Sequence, residues 1–364
     1  MIERQNAFKI NRREKKKVVL VWQGGHKVFW STYDILGRNF DLYIISHIHA
    51  KGFPPFLNNP IIYVKNINFF HYSAYYKGLS KQLTELRPDV VVSYHINQLH
   101  SWQAASYCKK NNIPFYVIES KMDPHQKFNP FFRLISPMIR FVYKNRIKKI
   151  LCYTKKSLTY MKKCGFENLV YTPVTPYITF PKSKKLDDEK MRLLFVGNLI
   201  KRKNVSLVLT AINELKNENK VNPQNFVFNV VGQGIEETSL KKYVRENNME
   251  SLVNFTGRLN HKELEDIFME SNVFILPSLV DILGLVVLEA MSAGLPVIVS
   301  DNVGTCSHVE NDKNGYVFKS GDVTGVKDAI LKLMDKQKRK QFGMQSANLI
   351  KHYKLKFEHE LSKL

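Results

Sequence analysis

The chain has 364 residues, of which 44% are hydrophobic and 12% aromatic; this composition fits a folded protein with two α/β domains and excludes a disordered chain. The formal net charge is +23, and it is uneven: residues 1–185 hold 31 Lys and Arg against 9 Asp and Glu, which leaves 24 against 23 for the rest. A basic first half indicates a phosphate-bearing partner, either anionic lipid or nucleic acid, whereas a solvated lysine-rich surface would not explain the near-neutral second half.

The first residues are basic but do not resemble an export signal. Residues 1–16 are predicted as a basic arm, and the apolar run that follows, residues 18–22, is too short for a signal core or a membrane span. The four cysteines show no paired spacing, so we expect thiols in a reducing compartment. The sequence therefore predicts a cytoplasmic protein, with a peripheral position at the inner face of the membrane as a further hypothesis.

The first half alternates short apolar runs with amphipathic segments, the pattern of a parallel sheet covered by helices. Strands are predicted at residues 17–22, 42–46, 61–64, 90–93, 115–118 and 149–153. Helices are predicted at residues 74–86, 100–111, 130–145 and 155–164. These elements predict a Rossmann-like domain over residues 17–175.

Gly24 and Gly25 directly follow the first predicted strand. Glycine there lets a ligand approach the backbone closely, but a Rossmann-like first turn also favours glycine without any ligand. Both interpretations stay open.

A proline-containing, charged segment at residues 176–190 predicts a linker between two domains. Beyond it, strands are predicted at residues 192–196, 226–231, 252–255, 272–276 and 296–300, which form a second domain over residues 191–345. The chain from residue 336 onward is charged and helical, and residues 346–364 are predicted as a C-terminal helix. The ligands of two such domains are expected at the carboxyl ends of their strands.

Two carboxylates, Asp281 and Glu289, flank Gly284 where a predicted strand gives way to a helix at residues 285–292. A helix N-terminus offers unpaired N–H groups and the positive end of a dipole to a phosphate. Ionised carboxylates accept hydrogen bonds from hydroxyl groups. The segment therefore predicts a site for a polyhydroxylated anion, although an ordinary strand, turn and helix with a solvated Asp would have the same pattern.

This segment closely resembles the acidic motif of retaining nucleotide-sugar glycosyltransferases of family 4, which have the GT-B fold. The motif runs acid, two residues, Gly, four residues, Glu, then Ala-Met, and here it reads Asp281, Gly284, Glu289 and Ala290-Met291. Two departures are Asp in place of the commoner Glu, and Leu283 where an aromatic is usual. The resemblance covers residues 193–321 well and the first half only in outline.

The resemblance implies an α/β protein with two Rossmann-like doubly wound domains that face a central cleft, and a C-terminal helix that crosses back to the first domain. It also implies a hexosyltransferase-type enzyme that moves a sugar from a nucleoside-diphosphate sugar, with UDP or GDP, to a glycan or lipid-linked acceptor. Synthesis of a cell-surface polysaccharide or glycolipid is the expected role.

The loop after the strand at residues 192–196 is basic and follows Gly197. In the family, the corresponding loop supplies cations to the diphosphate. Lys203 matches the family Lys, while Asn198 replaces an Arg, which Arg202 could compensate because a guanidinium pairs two phosphate oxygens. Taken alone, a basic loop of this kind is usually only solvated.

Further donor contacts are implied by the resemblance. Turns containing Gly232 and Gly234, and the backbone near Arg258 and Leu259, would lie at the nucleotide. Glu289 would bind the ribose hydroxyls, and Asp281 a sugar hydroxyl. The backbone from Leu283 through Gly284 to Leu285 would meet the sugar and phosphate.

The sequence contains no Asp-x-Asp triplet, which other nucleotide-sugar enzymes use to hold a metal ion. Lys203, Arg202 and a helix N-terminus could stabilise a departing diphosphate without one. We therefore expect no metal and no cofactor, with the nucleotide sugar as a substrate.

The acceptor side of the sequence departs further from the family pattern than the donor side. The family often carries a His after the strand that here spans residues 115–118, and Glu119 stands there instead, with Asp123 and His125 behind it. Basic and aromatic residues at helical spacing over residues 133–163 suit a helix on an anionic membrane surface, or equally a core-facing stripe with solvated lysines. The competing function is a basic module that binds nucleic acid or an anionic surface without catalysis; no RNA-binding signature supports specific nucleic-acid recognition.

Overall fold

The computed structural model describes residues 15–22, 29–47, 58–69, 73–120, 137, 141, 143–176 and 188–364. Two parallel sheets dominate this part of the chain. The strands are, in chain order, β1 (Lys17–Val21), β2 (Asp41–Ser46), β3 (Ile61–Tyr63), β4 (Asn66–Phe69), β5 (Ser73–Tyr76), β6 (Val90–Tyr94), β7 (Phe115–Glu119), β8 (Lys149–Cys152), β9 (Leu169–Tyr171), β10 (Met191–Val196), β11 (Phe226–Val231), β12 (Val253–Gly257), β13 (Val273–Leu276), β14 (Val297–Ser300) and β15 (Gly315–Phe318).

The first sheet has the order β3-β2-β1-β6-β7-β8-β9. Its central strands β1, β6 and β7 are almost entirely buried and consist mainly of apolar residues, as a sheet covered on both faces requires. The strand order reverses between β1 and β6, so the crevice for a ligand is expected at the carboxyl ends of these two strands. The aromatic side chains of Trp22, Phe29 and Tyr94 pack together at this point.

The second sheet has the order β12-β11-β10-β13-β14-β15, with all neighbours parallel. The order reverses between β10 and β13 in the same way. The expectation of two doubly wound α/β domains is confirmed.

The helices cover these sheets, and several begin at side-chain caps. Thr154 and Asn260 each form a capping box with the residue three positions later, which satisfies N–H groups that the helix itself leaves unbonded. The described helices of eight residues or more are α1 (Trp30–Asn39), α2 (Leu79–Leu86), α3 (Leu99–Lys110), α4 (Lys155–Lys163), α5 (Val205–Asn217), α6 (Glu237–Glu246), α7 (His261–Glu270), α8 (Leu285–Ser292), α9 (Val323–Lys332) and α10 (Lys336–Ser362).

The long helix α10 contacts both domains. It packs on α8 in the second domain and on α1 in the first. Phe357 is fully buried, with its ring 5.6 Å from that of Tyr153, and Glu358 lies 3.6 Å from Arg38. The predicted C-terminal helix is thus the second part of one unbroken helix, Lys336–Ser362, which returns to the first domain. None of the helices in the described segments combines the length and apolarity that crossing a bilayer would take.

The segment predicted as a helix at residues 74–86 is divided, and this prediction is partly wrong. Ser73–Tyr76 pairs antiparallel with Asn66–Phe69, and the helix begins only at Leu79, after Gly78 in a left-handed conformation. Tyr75 and Tyr76 favour extended backbone, and Gly78 separates the two elements. The short strands β9 and β15 were not expected, and the helix predicted at residues 130–145 falls mostly outside the described residues.

The carboxyl edges of the two sheets face each other. The Lys156 ammonium, on the helix after β8, donates to the carbonyl oxygen of Asp301, directly after β14. The Tyr171 hydroxyl, at the end of β9, lies 3.1 Å from His308 Nε2. A cleft between the strand ends is therefore the place where the predicted site residues can meet.

Candidate functional site

The loop between β13 and α8 is held by its own backbone and by the chain after β14. Asp281 N–H donates to the carbonyl of Asn302 at 3.1 Å, and Gly304 N–H donates back to the Asp281 carbonyl at 2.9 Å. Thr305 adds two bonds, from its N–H to the Leu283 carbonyl at 2.9 Å and from its hydroxyl to the Gly284 carbonyl at 3.1 Å. This bracing fixes the start of α8, so the site lies on a rigid turn.

The Asp281 carboxylate joins the two halves of the predicted donor site. Its Oδ1 accepts a bond from Gly284 N–H at 3.1 Å, while its Oδ2 forms an ion pair with Lys203 and lies 3.7 Å from Arg202 Nη1. Arg202 also donates to the Val280 carbonyl at 2.7 Å. Asp281 and Lys203 side chains are only 15% and 12% exposed, so the pair is shielded from solvent. The structure therefore brings together three residues that the sequence predicts in one site.

These cations reach Asp281 because the loop after β10 forms a short 3-10 turn, Lys201–Lys203, next to the loop after β13. Strands β10 and β13 are neighbours in the sheet, so their carboxyl ends are adjacent. Leu279 N–H donates to the Arg202 carbonyl at 2.9 Å and ties the two loops together. Two cations against one carboxylate leave the turn with a surplus positive charge beside the N-terminus of α8, an arrangement that can bind an anion.

The structure explains why position 284 requires glycine. Its φ is +67°, in the left-handed region, and a Cβ atom there would lie 2.4 Å from Val303 Cγ1. The side chain is therefore excluded both by backbone conformation and by contact with the bracing segment. A close-packed turn of this kind leaves the first N–H groups of α8 directed away from the helix.

Gly232 and Gly234 are needed for the packing of two loops. A Cβ at Gly232 would lie 1.9 Å from the Gly197 carbonyl oxygen, and one at Gly234 would lie 2.2 Å from that of Leu199. The turn after β11 thus lies directly against the loop after β10, and Leu199 N–H donates to the Gln233 carbonyl at 2.9 Å. This packing places the turn beside the basic loop, whether or not its backbone also contacts a ligand.

The remaining predicted donor residues lie at the same edge of the second sheet. Glu289 lies in the second turn of α8, half-buried, and Leu283 is buried with 8% exposure. Leu285 and Leu259 are half-buried, whereas Asn198 and Arg258 are exposed. Their contacts with a nucleotide sugar stay predictions.

On the first domain, Glu119 ends β7 and has no exposed surface. Its Oε1 accepts bonds from His95 Nδ1 at 2.7 Å and from Ser120 N–H at 3.1 Å, and its Oε2 accepts one from Ile96 N–H at 3.3 Å. These neighbours cover the carboxylate, and the catalytic contact predicted for Glu119 stays a prediction.

Sequence reasoning missed His95. Its side chain is 23% exposed and follows β6 directly, next to the crevice between β1 and β6. The signal that could have found it is its position: a histidine immediately after the carboxyl end of a central parallel strand. The other acceptor-side predictions, Gly24, Gly25, Asp123 and His125, lie outside the described residues.

At the contact between the domains, His308 is buried between Tyr171, Tyr353 and the backbone. Its Nδ1 lies 3.2 Å from the Thr305 carbonyl, and its ring is 4.9 Å from that of Tyr353. The pKa of His308 is lowered to about 4, chiefly by burial; the bond to the Thr305 carbonyl opposes this shift and the nearby Lys155 charge adds to it. The imidazole is therefore neutral near pH 7, with Nδ1–H donating to Thr305 and Nε2 accepting from Tyr171.

Residues 177–348 match the family model described as "Glycosyl transferases group 1". An uncharacterized glycosyltransferase of Haemophilus influenzae is 28% identical over 192 residues, which cover 52% of this chain and 53% of that protein. The amylovoran biosynthesis glycosyltransferase AmsK of Erwinia amylovora is 28% identical over 151 residues, which cover 40% of this chain and 36% of that protein. The chain thus spans about half of the first of these relatives and about a third of the second.

The similarity to solved structures extends over both domains. The apo form of the lipopolysaccharide outer core galactosyltransferase WaaB matches with a TM-score of 0.71 and 16% identity, covering 96% of this chain and 100% of that one. Anabaena HepE in complex with UDP matches with a TM-score of 0.74 and 14% identity, with the same coverage. At these identities the likeness establishes the fold, which is GT-B.

Proposed function

We propose that the protein is a glycosyltransferase that transfers a sugar from a nucleoside-diphosphate sugar to a glycan or lipid-linked acceptor. The match of residues 177–348 to the group 1 glycosyl transferase family model supports this proposal. We propose further that it is a retaining enzyme of the hexosyltransferase type and uses UDP or GDP. The resemblance of its acidic motif to that of family 4 supports the stereochemical outcome.

The observation that carries the proposal is the meeting of Lys203, Arg202 and Asp281 at the N-terminus of α8. Diphosphate oxygens need cations and N–H donors, and sugar hydroxyls need acceptors that can be carboxylates. The turn offers both within one contact network, at the edge where an open α/β sheet binds its ligands.

The chemistry follows from this geometry. Breaking the bond between the anomeric carbon and the phosphate leaves negative charge on the diphosphate, and this charge develops beside Lys203 and Arg202. Stabilisation by fixed cations and the helix N-terminus lowers the barrier without reorganisation of solvent. In this proposal Glu289 binds the ribose, Asp281 exchanges its pairing with Lys203 for a sugar hydroxyl, and no divalent cation takes part.

For the acceptor, we propose a saccharide or lipid carrier at an anionic membrane surface in the synthesis of a surface polysaccharide or glycolipid. The support is the charge of the first half, and an exposed Phe141 near Lys144, which is 42% exposed. Co-sedimentation with anionic vesicles should exceed that with neutral vesicles and decrease with salt. Equal, negligible binding to both kinds of vesicle would remove this part of the proposal.

A nucleic-acid-binding module without catalysis is not favoured. The cations of the second domain are paired with an acidic residue in a cleft, which suits a small polyhydroxylated anion better than a phosphate backbone. Salt-sensitive binding of nucleic acid, together with no response to any nucleotide sugar, would support the module.

The test is a thermal-shift screen with UDP, GDP and a panel of their sugars, since a ligand specific to the folded state raises the melting temperature. We expect one nucleotide and its sugar to raise it in the presence of EDTA. Glu289→Ala should abolish most of the response to that ligand. Absence of a shift with every nucleotide would contradict the proposed function, and a full shift in the variant would contradict only the ribose contact.

A further inference from the structure

We propose that His95 is a substrate-contacting residue whose Nε2 forms a hydrogen bond with a carbohydrate hydroxyl, and that Glu119 is the positioning residue that holds its imidazole. This inference rests on the proposed function, because it requires a carbohydrate in the cleft. It assigns a polar contact to the first domain, where the described residues contain none of the other predicted acceptor-side groups.

The bond between Glu119 and His95 determines the orientation of the ring. Glu119 Oε1 lies 2.7 Å from His95 Nδ1, and an ionised carboxylate can only accept, so Nδ1 carries the proton. Nε2 is then left to pair with a hydroxyl group, which can both donate and accept a hydrogen bond. A carboxylate behind a histidine fixes both the tautomer and the ring plane in this way at metal and catalytic sites.

The arrangement is rigid. Glu119 is fully buried, and it accepts further bonds from the N–H groups of Ser120, which follows β7, and Ile96, which follows His95. The His95 N–H donates to the Ile118 carbonyl at 2.9 Å, so the residue is attached to the neighbouring strand by backbone as well as side chain. The ring therefore has little freedom to turn away from the cleft.

The backbone of His95 is in an uncommon conformation. Its φ is +59°, in the left-handed region that non-glycine residues adopt infrequently, although His does so more often than most. Such conformations cost on the order of 1 kcal/mol or more and concentrate at functional sites. Here the conformation allows the side chain to meet Glu119 while it remains 23% exposed.

The position of His95 suits a ligand in the cleft. It follows β6, at the reversal of strand order, with its ring 6.0 Å from that of Trp22 at the end of β1. Strand β6 is two strands from β8, about 10 Å at the usual spacing, and β8 is followed directly by the contact with the second domain. In the described part of the chain, His95 Nε2 and the buried Trp22 Nε1 have no protein partner, so polar atoms are available at this point.

The experiment compares the wild type with His95→Asn, which tolerates a left-handed backbone, and Glu119→Gln, which keeps the size of the side chain. Glu119 accepts from three donors, so an amide must oppose at least one of them with its own N–H₂ group. A matched control is His47→Asn, because His47 also follows a strand of the same sheet and pairs its Nδ1 with the Tyr76 hydroxyl at 3.0 Å.

Four quantities are measured with the nucleotide sugar that raises the melting temperature of the wild type most. They are the Kd of the nucleotide sugar, the Kd of the bare nucleotide, the rate of hydrolysis of the nucleotide sugar, and the rate of transfer to a panel of p-nitrophenyl glycosides. Binding of the bare nucleotide by the wild type tests the proposed function and not the role of His95. For both variants at His95 and Glu119, we expect bare-nucleotide affinity within twofold of the wild type and a loss of about five- to tenfold in a sugar-dependent step, as one lost hydrogen bond predicts.

The same measurements show whether the hydroxyl that contacts His95 belongs to the transferred sugar or to the acceptor. If it belongs to the transferred sugar, nucleotide-sugar affinity and hydrolysis decrease; if it belongs to the acceptor, both persist and only transfer decreases. The proposal is overturned if all sugar-dependent steps match those of His47→Asn, or if bare-nucleotide affinity decreases equally, which would indicate general damage to the fold.

Discussion

Asp281 already has partners before any ligand arrives, and this shapes how the site must work. Its carboxylate holds the start of α8 through Gly284 and neutralises part of the charge on Lys203 and Arg202. In the proposed function, a diphosphate that binds here would compete with Asp281 for Lys203. Asp281 serves as an internal counter-ion that reduces the repulsion between Lys203 and Arg202.

Removal of the Lys203 charge tests this arrangement. In Lys203→Met we expect the Kd of the bare nucleoside diphosphate to rise by about 10- to 100-fold, because one charge-assisted contact is worth roughly 1.5–3 kcal/mol. The Lys201→Met variant is the matched control, since Lys201 lies in the same 3-10 turn but is exposed. Isothermal titration calorimetry measures the Kd of both variants. An equal loss of nucleotide affinity in the two would mean that only the total charge of the loop contributes to binding.

The sequence identified Lys203, Arg202 and Asp281 as members of one site, but not their mutual contacts. Lys203 and Asp281 are 78 positions apart, and the adjacency of β10 and β13 brings them together. The His95–Glu119 pair was missed for a related reason. A motif marks residues close in sequence, whereas this pair connects the ends of two different strands, and the position of His95 shows its relevance only once strand order is known.

At the level of elements, strand and helix boundaries follow apolar runs closely where those runs are long. Strand β11 and helix α8 begin and end where the pattern predicts. The hairpin β4–β5 was missed because a short strand next to a helix gives one continuous mixed pattern, and only its antiparallel pairing separates the two. Tertiary pairing therefore decides such segments, not local periodicity.

The turn before α8 allows a test at this scale. Gly284→Ala should destabilise the protein by about 2–4 kcal/mol, since it combines a left-handed backbone with a steric clash. Gly321→Ala is the control, because Gly321 has a φ of +87° but a Cβ atom there would meet none of the described residues beyond its chain neighbours within 4 Å. Only the backbone cost of about 1–2 kcal/mol then applies to the control. Urea unfolding of both variants measures the difference in the free energy of unfolding. Equal decreases would show that the Val303 side chain moves aside with no measurable loss of stability.

For the whole molecule, the interface between the domains contains a histidine that must stay neutral. The pKa of His308 is lowered to about 4 in the folded protein, against about 6.5 in an unfolded chain. As pH decreases below 6.5, the unfolded state takes up the proton first, so the free energy of unfolding decreases until the pH passes the folded-state pKa. Between pH 6.5 and 4 the loss amounts to roughly 3 kcal/mol.

We therefore expect the unfolding free energy of the wild type to decrease more steeply over this pH range than that of His308→Gln. Other groups titrate in both proteins, so the difference between the two curves isolates His308. Denaturant unfolding at half-unit pH steps measures it. Parallel curves would contradict a neutral, buried His308, whatever the absolute stability of the variant.

The segment from Asp301 to His308 touches the first domain on one side and the loop at Asp281 on the other. Lys156 and Tyr171 contact it from the first domain, and it braces the turn that begins α8. Thermodynamic reciprocity then applies. A ligand that stabilises this turn must also change the strength of the contact between the two domains. Any change in that contact must in turn alter the affinity for the ligand by the same factor.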